Sequence, residues 1–165
     1  MGYRPLRLSR ISQAFAAPGT YASHADAHGP SGHHTGIDFA RPLTLVSIEG
    51  RPIRSSTPGE VVISEFQKDD DGGSTMGNWV GVYFAFDDVL ITYWHMKDRN
   101  VQVGDLIERG KVIGWVGETG NAAGVHTHVQ ANRGRHFDYH GHIPPGPWVR
   151  GRLWAGAPEL FGHSQ

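Results

Sequence analysis

Glycine and proline interrupt this chain so often that long surface helices are a poor fit. The 23 glycines and 10 prolines make up about a fifth of the 165 residues, above ordinary usage yet below the roughly 25–30% that marks low-complexity sequence. Charged residues are only 19%, under the usual value of about 25%. Between the glycines lie short β-branched and aromatic runs: GEVVISEF at 59–66, NWVGVYFAF at 78–86 and VLITYWH at 89–95. Such runs read as strands joined by tight turns. The fold class that follows is mostly β, with a compact antiparallel sheet or sandwich core and long loops.

The length suits one domain over 1–165 that can bury a sizeable core without staples. There is no cysteine, which removes disulfides, thiol catalysis and thiolate metal sites. Fifteen basic against sixteen acidic residues give a net charge of −1. That excludes a strongly basic nucleic-acid footprint. No run of about 18 apolar residues exists, so no membrane span is expected. The opening MGYRPLRLSRISQAFAAPG has basic residues without a continuous apolar stretch, and no secretory signal peptide is expected in it.

Along the chain, 1–32 reads as an N-terminal loop region with one short apolar piece at 11–17. A core follows at 33–131, and 132–165 reads as an extended wrap or linker. Within the core a strand is predicted over 34–40, turn signals over 52–58, and a polar loop over 68–77. The runs 78–86 and 89–95 form a hairpin about Asp87-Asp88. Three apolar pieces over 101–116 are cornered by Gly104, Gly110 and Gly114, and a last strand covers 125–131.

Histidine is the compositional anomaly. There are eleven, and in a cysteine-free chain they point to a metal site or to acid–base work. In His34-Thr35-Gly36-Ile37-Asp38 the imidazole and the carboxylate are separated by an even offset and share a strand face. His126 and His128 are two apart and also share a strand face. Two histidines and one aspartate make a three-ligand site with an open fourth position, as expected of catalytic zinc. A helical H-E-x-x-H motif is absent, so histidines outside the ligand set, His95 and one of the 126/128 pair, are the available proton carriers.

The order of these motifs resembles the lysostaphin-type (LytM-like) zinc metallopeptidases of bacterial cell walls. The matching residues are His34-Thr35-Gly36-Ile37-Asp38, then Tyr93-Trp94-His95-Met96, then the stretch from Val103-Gly104 through Gly120, then Gly124-Val125-His126-Thr127-His128. The resemblance covers residues 30–131. It implies that His34, Asp38 and His128 hold one zinc ion, and that His95 and His126 are the catalytic pair. It implies a duplicated-hybrid-motif-like β fold with the metal on the floor of a groove, walled here by the loops at 18–32, 67–77 and 133–147. It also implies hydrolysis of a peptide bond in the stem or cross-bridge of peptidoglycan. Water activated at the metal would give its proton to an imidazole, and the tetrahedral oxyanion would be stabilised by the ion and an imidazolium. The expected partner is a peptidoglycan peptide, the expected setting the bacterial cell wall, reached as a secreted enzyme or a phage lysin, and the expected state a monomer.

Two positions depart from the family pattern, Thr127 where Leu is usual and Gln130 where Glu is frequent. Neither is a ligand, so activity is expected to be tuned rather than lost. His33 is a rival to His34 as ligand, and the four-residue spacing to Asp38 favours His34. His24, His28 and His33 otherwise read as solvated loop residues, and His136, His140 and His142 as loop residues near the groove. Trp148 and Trp154 read as packing anchors, and Glu118 as a partner of the site. Two other readings are a non-catalytic relative that binds and activates a cell-wall amidase, and a phosphocarrier. The complete ligand set speaks against the first, and the H-x-H pair against the second.

Overall fold

The computed structural model describes residues 9–13, 34–42, 47–67, 76–138 and 141–149. The loop expected at 18–32 and most of the one at 67–77 lie outside them, as do His24, His28, His33, His140 and Trp154. Among the described residues there are strands and no helix: β1 (Arg10–Gln13), β2 (Ile37–Ala40), β3 (Pro52–Arg54), β4 (Gly59–Phe66), β5 (Asn78–Phe84), β6 (Val89–Arg99), β7 (Leu106–Ile107), β8 (Val112–Val116), β9 (His126–Arg133) and β10 (His142–Ile143). No helix among them is long and apolar enough to cross a membrane.

The strands form one sheet in the order β1-β2-β9-β6-β5-β4-β7, with β10 on β9 and a branch in which β8 joins β6 to β3. The described pairings are antiparallel. Strand β6 is the fork. Its first half, Val89 to Tyr93, pairs with β9, and its second half, Met96 to Arg99, pairs with β8. Both branches face one core, in which Phe39, Val61, Val82, Ile91, Tyr93 and Val129 from the main path meet Ile53, Ile113 and Val116 from the branch. Period-two alternation sends Thr127, Val129 and Ala131 of β9 toward this core and His126, His128, Gln130 and Asn132 to the opposite face.

Several boundaries differ from those read in the sequence. The strand at 34–40 begins only at Ile37, because residues 34–36 bend to bring His34 over the sheet. The hairpin loop spans four residues, 85–88, rather than two, since Phe84 pairs with Val89. Asp88 supplies the positive φ of 51° that glycine would otherwise provide. Its carboxylate accepts the Tyr83 hydroxyl at 2.9 Å. The turn signals at 52–58 hide β3, which Pro52 can open because a strand's first residue need not donate to a ladder. Gly104 and Gly110 do make corners, with φ of 95° and 89°. Gly114 does not: it lies inside β8, and a Cβ there would meet the Asp98 carbonyl and the Met96 side chain. Beyond Arg133, β10 pairs with β9, Val149 is buried, and the Trp148 indole N–H donates to Asp87 Oδ2 at 2.6 Å.

Candidate metal centre and flanking histidines

The β2–β9 register sets Asp38 directly opposite His128 and Ala40 opposite His126. His34 reaches the same spot from the bend before β2. This approach depends on Gly36. A Cβ there would stand 2.6 Å from His128 Nε2 and would collide with the Val129 carbonyl. Three candidate ligand atoms converge: His34 Nε2 lies 3.1 Å from His128 Nδ1 and 3.2 Å from Asp38 Oδ1, and His128 Nδ1 lies 2.9 Å from Asp38 Oδ1. The imidazoles are 4% exposed and the Asp38 side chain 13%.

The trio fits a divalent cation. Two ring nitrogens and a carboxylate oxygen converging at this range can share one cation, or a proton, between them. Ligands about 2.0–2.1 Å from a tetrahedral zinc would be about 3.3 Å apart, a few tenths of an ångström beyond the separations seen. Among the described residues this is the group of histidine and carboxylate side chains able to hold a metal. Burial alone would raise the Asp38 carboxyl, but the charge of His34 and hydrogen bonds from His128 and His34 outweigh it and hold the carboxyl well below its ordinary value. Burial pushes the His128 imidazole down to about 4, against the upward pull of Asp38. Its Nε2 faces Thr35 Oγ1 at 3.5 Å, which leaves Nδ1 to point at Asp38 and His34.

His95 and His126 stand beside the trio, with ring centroids 4.6 Å apart. His126 Nδ1 lies 2.7 Å from the Gly124 carbonyl, and His95 Nδ1 lies 2.9 Å from the Thr119 carbonyl. A carbonyl can only accept, so each Nδ1 carries its proton and each Nε2 keeps its lone pair. His126 Nε2 faces Asp38 Oδ1 at 3.9 Å. His95 is buried and pushed down to about 3, first by desolvation and then by the charges of His126 and His128.

The location of His95 has a specific cause. Val80 pairs with Tyr93 while Asn78 pairs with Met96, so β6 carries one more residue than β5 between these pairs. Trp94 and His95 span this bulge, at the point where β6 leaves β9 for β8. His95 takes a φ of 61°, an uncommon conformation for a residue other than glycine. Bulges of this kind re-aim side chains. Simple alternation would send His95 to the core face with Tyr93; the bulge turns it to the ligand face instead.

Trp94 is part of the quoted Tyr93–Met96 motif, but the sequence gives it no role of its own. Its indole lies on the His128 imidazole, centroids 4.4 Å apart and planes 35° apart, and its N–H donates to Thr92 Oγ1 at 2.9 Å. Phe137 packs edge-on against Trp79 at 5.1 Å and Trp94 at 6.0 Å. The segment carrying Phe137 is tied down by a bidentate pair from Arg135 to Glu60, at 2.6 and 2.9 Å, and by Asn132, whose Nδ2 donates to the Asp138 carbonyl. Thr35 and Gly124 stand in the quoted motifs without a role of their own, and Thr119 lies in the stretch from Val103-Gly104 through Gly120. They act through backbone carbonyls or a single hydroxyl, for which sequence spacing carries no signal.

The five sequence-predicted site residues, His34, Asp38, His95, His126 and His128, therefore meet on one face. Other candidates do not join them. Glu118 is exposed. His136 is exposed next to Phe137 and, with Val62, Ile63, Val103, Arg135 and Phe137, lines a cleft of about 170 Å³. His142 lies in β10, opposite Asn132.

Comparison with known proteins agrees with this arrangement. Glycyl-glycine endopeptidase ALE-1 of Staphylococcus capitis is 33% identical over 99 residues, 60% of this chain and 24% of that protein. DD-carboxypeptidase/endopeptidase Mpg of Neisseria meningitidis serogroup B is 35% identical over 127 residues, 77% of this chain and 25% of that protein. The chain thus spans about a quarter of the length of these curated relatives. Among solved structures, the catalytic domain of the antimicrobial peptidase lysostaphin from Staphylococcus simulans superposes with a TM-score of 0.66 at 24% identity, over 84% of this chain and 90% of that one. That likeness establishes the β-rich fold. The sequence pattern of Peptidase family M23 matches residues 32–139, a span that holds all five converging residues, and this chain belongs to that family.

Proposed function

We propose that this protein is a zinc-dependent endopeptidase that hydrolyses peptide bonds in the stem or cross-bridge of bacterial peptidoglycan. The observation that carries the reading is the convergence of His34 Nε2, Asp38 Oδ1 and His128 Nδ1 within 2.9–3.2 Å, beside two imidazoles whose Nδ1 protons are already committed to carbonyls. His34, Asp38 and His128 hold the ion, three protein ligands that leave a fourth position for water or substrate. A zinc ion held there supplies Lewis acidity that acidifies water and polarises a carbonyl.

The remaining chemistry belongs to the protein. His126 presents its Nε2 toward Asp38 and the His95 ring packs beside His126, so either imidazole can take a proton from the attacking water. The same atom can then return that proton to the departing amine. Once protonated, the second imidazole stabilises negative charge on the former carbonyl oxygen. Trp94 keeps water from the back of His128 and holds its ring plane. The cell wall is the site of action, reached by secretion or as a phage lysin, with the protein acting as a monomer. The endopeptidase names of the relatives support the reaction class.

The test pairs metal analysis of the purified protein with digestion of purified walls of several chemotypes. Released peptides are identified by mass spectrometry, with chelator and after zinc is restored. The reading expects about one zinc per chain and new amino termini that vanish with chelator and return with zinc. Walls left intact by the zinc-loaded protein, or cleavage indifferent to chelator, would overturn it.

A further inference from the structure

We propose that Thr119 is the positioning residue for His95: its carbonyl selects the ring tautomer, and its hydroxyl holds that carbonyl in place. The proposal rests on the reading of His95 as a proton carrier. His95 falls in a bulge, so the β5–β6 ladder does not fix it. Its backbone N–H donates to the Met76 carbonyl at 2.9 Å, and its ring Nδ1–H donates to the Thr119 carbonyl at 2.9 Å. Both acceptors lie outside the strands.

The Thr119 side chain explains how these acceptors are held. Its hydroxyl accepts the Asn78 N–H at 2.9 Å and donates to the Met96 carbonyl at 2.7 Å. Asn78 and Met96 are the cross-strand pair that closes the bulge. The hydroxyl therefore relays a hydrogen bond between the two strands where the bulge has disrupted their ladder. Two glycines bring the segments close enough. Gly77 and Gly120 have φ of 65° and 73°. A Cβ on Gly77 would strike the Thr119 backbone and hydroxyl, and one on Gly120 would strike Gly77. The segments around 76–78 and 119–120 are in backbone contact, with His95 pinned between their carbonyls.

The chemical consequence is a single tautomer. With Nδ1–H committed to a carbonyl, the lone pair sits on Nε2. The opposite tautomer would set a lone pair against a carbonyl oxygen. Serine at 119 can make both hydroxyl bonds; valine matches threonine in shape and makes neither.

The test compares Thr119→Ser and Thr119→Val with the parent, all zinc-loaded. Imidazole ¹⁵N spectra report the His95 tautomer, and zinc content, kcat and KM for wall-peptide hydrolysis are measured alongside. The proposal expects one Nδ1–H tautomer in the parent and the serine variant, with kcat within about twofold. For the valine variant it expects mixed His95 signals, unchanged zinc content and KM, and kcat lower by at least about tenfold, a loss on the scale of a misdirected proton carrier. A valine variant that keeps both tautomer and kcat, or a serine variant as impaired as valine, would overturn it. Should the valine variant not fold, the parent spectrum decides, because an Nε2–H tautomer at His95 is incompatible with the proposal. The tautomer readout needs no turnover. A parent that leaves walls intact yet shows the expected spectra removes the endopeptidase reading alone.

Discussion

Asp38 and His128 sit directly opposite each other in the β2–β9 ladder, with the carboxylate Oδ1 2.9 Å from the imidazole Nδ1. The pair is brought together by strand register, and His34 is added from a bend that only glycine at 36 permits. Asp38 supplies the negative charge among the three ligand groups. Asp38→Asn keeps the shape and removes that charge. Zinc affinity should fall by more than the roughly 10–100-fold typical of losing a group that merely supports a ligand, as read by competition with a chromophoric chelator.

Gly36→Ala should damage the site from outside the ligand set. The added methyl meets the Val129 carbonyl and His128 Nε2, and overpacking of this kind costs about 1–3 kcal/mol. For a chain of this length that corresponds to a fall in melting temperature of roughly 2–12 °C. Calorimetry would show the fall, and zinc titration should show weaker binding in the same variant.

Trp94 is a test of packing behind a ligand. Removing this buried ring as Trp94→Ala should cost about 3–5 kcal/mol and free the His128 ring to rotate. Trp94→Phe keeps a ring against His128 and gives up the hydrogen bond to Thr92, so its loss should be nearer 1 kcal/mol. Denaturant midpoints for the two variants should separate accordingly, with zinc affinity falling more in the alanine variant.

Tyr93 gives the fold an alkaline limit. Burial raises its hydroxyl above the ordinary value of 10.0, outweighing the lowering effect of its Ser56 hydrogen bonds. The Ser56 backbone N–H donates to that oxygen at 2.7 Å, and the Ser56 hydroxyl pairs with it at 2.7 Å. A pKa raised in the fold means that the neutral phenol is favoured there. The stability it gives is complete below about pH 10 and is lost as pH climbs through the folded-state value. Tyr93→Phe should be less stable by about 1–3 kcal/mol at pH 8 because it leaves the Ser56 N–H without its acceptor. The gap between parent and variant should narrow above pH 10. Thermal unfolding across pH 8 to 11 checks both.

Much of the site is legible from residue order because its ligands obey strand periodicity. His126 and His128 share a face by their offset of two, and Asp38 meets them through ladder pairing that any antiparallel neighbour could provide. His95 is different. Its face is set by a bulge, which depends on β6 changing partners from β9 to β8, and local sequence does not encode that exchange. The glycines divide in the same way. Gly104 and Gly110 mark turns that punctuation alone suggests, whereas Gly114 and Gly36 are dictated by neighbours distant in the chain. Trp94 falls beside His128 for the same long-range reason, and Thr119 matters through atoms that every residue or every threonine possesses.

The fork in β6 has one more consequence. The three side chains proposed to hold the ion hang from the β2–β9 limb and the bend before it, while His95 is suspended from loops that belong to the β5 and β8 side. A substitution that shifts the second limb by a fraction of an ångström would retune proton delivery and leave the cage for the ion intact. On the proposed reading, turnover and ion retention rest on separate mechanical supports, and a lineage could slow or quicken one while the other stays as it was.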